Sequence, residues 1–85
     1  ANLNGAPRRM IRLEMSLEML DKQGFEEVVR LGPQARDLIV RILNNKEFKD
    51  VETIQGKLFL KDQIAVTLNE FMREGVVKDV YFSGF

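Results

Sequence analysis

Between Arg9 and Leu20 the chain alternates without a break. Ile11, Leu13, Met15, Leu17 and Met19 are interleaved with Arg12, Glu14, Ser16 and Glu18. A period of two places the apolar side chains on one face of a sheet and the polar ones on the other, so a long, half-buried strand is predicted. Asn4-Gly5-Ala6-Pro7 before it is a turn cluster. Asn2-Leu3 then reads as the tail of a preceding strand, with Arg9 to Leu20 as the second arm of a hairpin.

The period then changes. Asp21 is placed to cap a helix, with Leu20 and Phe25 spaced for a hydrophobic staple across the cap. Phe25, Val28 and Val29 form a short stripe that ends at Gly32-Pro33. Pro33 suits the opening of a second helix, in which Ala35, Leu38, Ile39, Ile42 and Leu43 share one face until Asn44-Asn45. Lys46 to Glu52 is a polar connector pinned by Phe48 and Val51. Thr53 is the next cap, and Ile54 to Glu74 is predicted as the longest helix, about 30 Å, closed by Gly75. Its stripe is Leu60, Ile64, Leu68 and Phe71. Gly56 in its first turn costs about 1 kcal/mol against Ala and suggests close packing.

Val76 to Phe85 is dense in β-branched and aromatic residues and predicts a final strand. Strict alternation puts Val76, Val80 and Phe82 on one face and Val77, Tyr81 and Phe85 on the other. The expected fold is α+β. A small antiparallel sheet, hairpin plus C-terminal strand, carries three helices on one face in a two-layer arrangement.

Composition narrows the function. At 85 residues the chain is expected to be a single domain, 1–85. Thirteen basic and thirteen acidic residues cancel, which leaves no basic excess to release counterions, so nucleic acid is not an expected partner. With no histidine and no cysteine, the commonest general base, metal ligand and thiol nucleophile are missing together. Ser16 and Ser83 lie outside any nucleophile elbow. The carboxylate pairs Glu14/Glu18, Glu26/Glu27 and Asp50/Glu52 read as solvated charge. No catalytic, cofactor-binding or metal site is expected. No run of about 18 apolar residues exists to span a membrane.

The positive feature is surplus apolar surface. Phe59 and Val66, one heptad apart, point away from the Leu60/Ile64/Leu68 stripe. Either a second layer of the same domain covers them, or they are scattered surface apolar residues of the ordinary kind, or they meet a neighbouring copy or partner. With Val77, Tyr81 and Phe85 of the two-faced last strand, they form the candidate interface.

Several stretches resemble the FliL family of flagellar basal-body-associated proteins. Gly75-Val76-Val77-Lys78-Asp79-Val80-Tyr81-Phe82-Ser83-Gly84-Phe85 is similar to that family's closing Val-x-x-Val-Tyr-Phe-x-x-Phe pattern. Thr53-x-x-Gly56-Lys57-x-x-Leu60 resembles its Thr-Pro-Glu-Gly-Lys helix start, with Ile54-Gln55 in place of Pro-Glu. Pro33-x-x-Arg36-Asp37-x-Ile39 resembles its Pro-x-Ile-Arg-Asp helix, and Asn2-Leu3 with the alternating strand resembles its hairpin. The resemblance covers the whole chain in order. It implies a stomatin/prohibitin-like domain on the periplasmic side of the bacterial inner membrane, tethered by an N-terminal transmembrane helix absent from this chain. It further implies a non-enzymatic, homo-oligomeric ring that meets the ion-driven stator proteins and supports torque and motility. Two other readings fit the residues: a monomeric adaptor taking a peptide at an open sheet edge, and a stomatin-like membrane scaffold unrelated to flagella.

Overall fold

Residues 14–83 are described by a computed structural model; the expected first hairpin arm, the start of the alternating strand and Phe85 lie outside them. Strand β1 (Glu14–Met19) leads into α1 (Lys22–Asn44), α2 (Phe48–Glu52), α3 (Ile54–Phe71) and β2 (Val77–Ser83). The two strands pair antiparallel, with Met15 opposite Phe82, Leu17 opposite Val80 and Met19 opposite Val77. The inner residues of the alternating pattern therefore meet the inner residues of β2. Below them lies a core of Leu60, Ile64 and Leu68 from α3, Ala35, Ile39, Ile42 and Leu43 from α1, and Val51 from α2. This is the α+β arrangement expected from the chain.

The helix starts follow their caps. The Gly24 N–H donates to Asp21 Oδ1 at 3.0 Å, and the Gly56 N–H donates to Thr53 Oγ1 at 2.9 Å. The Glu47 N–H donates to Asp50 Oδ2 at 2.9 Å, fixing the entry to α2. At Gly32, α1 kinks through φ 24° and ψ −94°, a backbone region open to glycine. Pro33 follows without an N–H to lose. Two helical arms joined at this kink match the expectation.

The first arm differs from its sequence reading. Gly24, Glu27, Val28 and Leu31, spaced i, i+3, i+4 and i+7, are its inward residues, whereas Phe25 and Val29 are 61% and 62% exposed. Leu20 and Phe25 both remain exposed, so no staple buries them. Val28 and Leu31 pack against the core, and polar contacts anchor the arm as well. Glu27, only 5% exposed, accepts from the N–H groups of Arg73 (2.7 Å), Glu74 (2.9 Å) and Gly75 (2.8 Å). Arg30 pairs with Glu74 at 2.7 Å. The reading of Glu27 as solvated charge is thus overturned. Charge-assisted bonds to three otherwise free amides offset the desolvation of its carboxylate.

The same clamp explains where α3 stops. Met72 leaves the helix at φ −76° and ψ 148°, and the next three N–H groups turn to Glu27 instead of continuing the helical ladder. The helix therefore ends at Phe71 and not Glu74. Gly75 has no positive φ and is not the helix-closing residue. Its hydrogen-only side lies against the backbone of Gly24, where a Cβ would collide. Gly56 plays a similar packing role, since a Cβ there would strike the carbonyl of Asp50.

Two expectations follow. Gly56→Ala gains helix propensity of about 1 kcal/mol but forces a methyl into rigid backbone, where overpacking costs roughly 1–3 kcal/mol. Urea denaturation should show it no more stable than wild type, and a clear gain would contradict the close approach. Hydrogen bonds from Arg73, Glu74 and Gly75, helped by the charge of Arg30, hold the Glu27 carboxyl below its ordinary 4.5 against the opposing effect of burial. A lowered folded value adds stability above the unfolded value and loses it as pH falls through the folded one. Glu27→Gln should therefore lower the urea midpoint at neutral pH and flatten its fall on acidification; an unchanged midpoint would contradict the clamp.

Candidate interaction surface

Along α3 the outward stripe Gln55, Phe59, Asp62, Val66 and Glu70 is exposed throughout. Phe59 is 65% and Val66 47% exposed, with Ile54 and Leu58 open beside them. The described part of the domain does not cover this side of the helix. Phe59 also borders a cleft of about 450 Å³ lined by Asn45, Lys46, Lys49, Asp50, Thr53 and Gly56. The Lys46 ammonium stands 5.3 Å from the Phe59 ring centroid, within the range of a cation–π contact.

The final strand departs from strict alternation. Val77 is only 3% exposed and belongs to the core with Val80, so it does not share an outer face with Tyr81. A bulge is the cause: Glu18 pairs with Asp79 and Met19 with Val77, leaving Lys78 as the extra residue. The bulge shifts the parity of β2, so two valines three apart both point inward. Asn69 of α3 holds Val77 in place, accepting from its N–H at 2.7 Å and donating to its carbonyl at 3.3 Å. An Asn on a helix carries no sequence signal for such a clamp. Glu27 offered a faint one, because it falls in phase with Gly24, Val28 and Leu31.

Tyr81 does face outward, within a charged cluster. Its hydroxyl donates to Glu18 Oε1 at 2.7 Å. Lys61 lies 5.5 Å from its ring centroid and 3.6 Å from Asp79, and Lys78 pairs with Glu18 at 3.9 Å. The Val80 N–H foremost, and the Lys61 charge after burial's opposing effect, hold the Asp79 carboxyl below its ordinary range. These groups satisfy one another as a surface network of hydrogen bonds and ion pairs. Among the described residues no group of three or more Asp or Glu side chains could hold a metal ion, and no helix is long and apolar enough to cross a membrane.

A family model described as flagellar basal body-associated protein FliL matches residues 1–85. The chain belongs to the FliL family. The flagellar protein FliL of Aquifex aeolicus (strain VF5) is 32% identical over 74 residues, 87% of this chain and 46% of that protein. The flagellar protein FliL of Bacillus subtilis (strain 168) is 28% identical over 76 residues, 89% of this chain and 54% of that protein. The chain thus spans about half the length of the curated relatives it matches. FliL is a family of flagellar accessory proteins, not a known family of enzymes. Within it, this chain presents an apolar helix stripe and a charged aromatic cluster.

The hydrogen bond to Glu18, with burial and the Asp79 charge, pushes the Tyr81 phenol up to about 12. A raised folded value adds stability below the ordinary 10.0 and loses it as pH rises through the folded value. Ultraviolet titration should therefore find Tyr81 ionising well above a free phenol, and Glu18→Gln should bring it down. Ionisation at the ordinary value in both proteins would contradict the contact.

Proposed function

We propose that this domain is a contact-making part of the flagellar motor. It is a periplasmic, membrane-tethered scaffold that self-associates and braces the ion-driven stator units, supporting torque and motility without chemistry of its own. Membership of a basal body-associated family supports the flagellar setting. The observation that carries the mechanical reading is the bare outward stripe of α3, centred on Phe59 and Val66. A small domain gains stability by burying such side chains, and apolar side chains left outside along one side of a helix suit a contact. Tethering to a membrane raises effective concentration, so modest contacts suffice for assembly. The chain covers about half of its curated relatives, which leaves ample sequence in such proteins for a membrane anchor.

The adaptor alternative rested on an open sheet edge or on a last strand apolar on both faces, and the inward turn of Val77 removes the second of these arguments. A scaffold unrelated to flagella is disfavoured by the family match.

Phe59→Asp and Val66→Asp in the full-length protein should each leave the circular dichroism spectrum unchanged. In the source bacterium both should reduce spreading in soft agar toward that of a strain lacking the protein. Wild-type spreading with both folded variants would overturn the proposal.

A further inference from the structure

Among the described residues the sheet consists of β1 and β2 alone, so β2 has one side with no neighbouring strand. Such an edge offers a row of backbone N–H and C=O groups to any extended chain that meets it. In an antiparallel pair the groups that point away from the partner recur at alternate residues. Across the bulge at Lys78 they fall at Val77 and Val80, and both positions are already engaged. The Asn69 amide accepts from the Val77 N–H at 2.7 Å and donates to its carbonyl at 3.3 Å. These are the two bonds that a residue of a neighbouring strand would make. The Val80 N–H donates to Asp79 Oδ1 at 2.7 Å.

The guard is delivered by α3. Asn69 and Lys61 are eight residues apart, about 12 Å along the helix, and they reach β2 at Val77 and at Asp79 and Tyr81. Four residues of strand span about 13 Å, so helix and strand run alongside each other in opposite directions. The helix packs under the inner face of the sheet, whereas Tyr81 stands on the outer face. The Lys61 side chain therefore crosses the edge of β2 to lie 3.6 Å from Asp79 and 5.5 Å from the Tyr81 ring centroid. A bulge and a lysine are both features that blunt a sheet edge, and here a side-chain amide is added to them. We propose that Asn69, Asp79 and Lys61 determine which partners this domain accepts, closing β2 along Val77–Val80 to the extended strand of another chain. The closure sorts partners by kind. It excludes those that bind by adding a strand here and leaves those that seat on a helix face, and it does not rest on the reading of the α3 stripe.

The probe is a fluorescein-labelled peptide of Glu14–Leu20, the sequence that already pairs with β2, added to the purified full-length protein. Wild type should leave its anisotropy unchanged. With three backbone bonds opened, Asn69→Ala/Asp79→Ala should bind it at least about tenfold more tightly. Hydrogen exchange at the Val77 and Val80 amides should quicken in that variant and slow again when the peptide is added. Ile42→Val, which loosens the core without touching the edge, should bind no peptide. Wild type that binds as tightly as the double variant, or a folded double variant that binds nothing, would overturn the proposal. Binding by Ile42→Val would also overturn it, because the gain would then come from loosening alone. If circular dichroism shows the double variant unfolded, Asp79→Ala decides, since that side chain is 44% exposed. Faster exchange at Val80 in this variant supports the guard, and unchanged exchange there overturns it.

Discussion

The Glu27 carboxylate is the contact on which the arrangement of this domain turns. It sits on the inward side of the first arm of α1 and gathers three consecutive backbone N–H groups from the segment between α3 and β2. Burying an anion is costly unless its lone pairs are met by donors, and here they are. The bond set ties two distant parts of the chain together. It ends α3 at Phe71, seats Gly75 on Gly24, and delivers β2 to the sheet at Val77, where the Asn69 amide takes over.

That polar anchorage has a consequence for the surface. With Val28 and Leu31 on the core and Glu27 and Arg30 bound to the segment after α3, the arm's phase leaves Phe25 and Val29 outside. The long helix is similar in outcome, because its inner stripe fills the core while Phe59 and Val66 remain outside. The domain therefore satisfies its own core and still carries apolar side chains on two helices. For a member of the FliL family, described as flagellar basal body-associated, spare surface of this kind suits a part that works by touching its neighbours.

Much of this was readable from the residues, and the misreadings share a cause. The β1 alternation, the caps at Asp21 and Thr53, the break at Gly32-Pro33 and most of the inner stripes of both long helices follow from local rules; Phe71, expected in the inner stripe of α3, is instead 37% exposed, and Met72 is buried where the helix ends. The first arm of α1 was read in the wrong phase because its inward stripe contains a glycine and a glutamate, which a search for apolar periodicity passes over. The end of α3 was placed three residues late because Gly75 resembles a helix terminator. It is a glycine for the sake of Gly24, a contact across about 50 positions of sequence. Val77 was put on the outer face because alternation cannot register a bulge, and the bulge answers to pairing with β1 and to Asn69. Tertiary polar contacts overrode local pattern in every case. The candidate surface was half legible: Phe59, Val66 and Tyr81 are exposed as their spacing suggested, but the open face of α1 was not foreseen.

A stripe of α3 that serves contact is covered when the protein is in its working place. The most direct measurement is the rate at which a membrane-impermeant maleimide labels Val66→Cys in intact cells, compared between cells with assembled basal bodies and cells without them. Glu52→Cys, exposed at the end of α2, serves as the reference. Slower labelling of position 66 in the assembled motor, with position 52 unchanged, is the expected result. Equal rates at position 66 in both strains would contradict the claim that this surface exists to be covered.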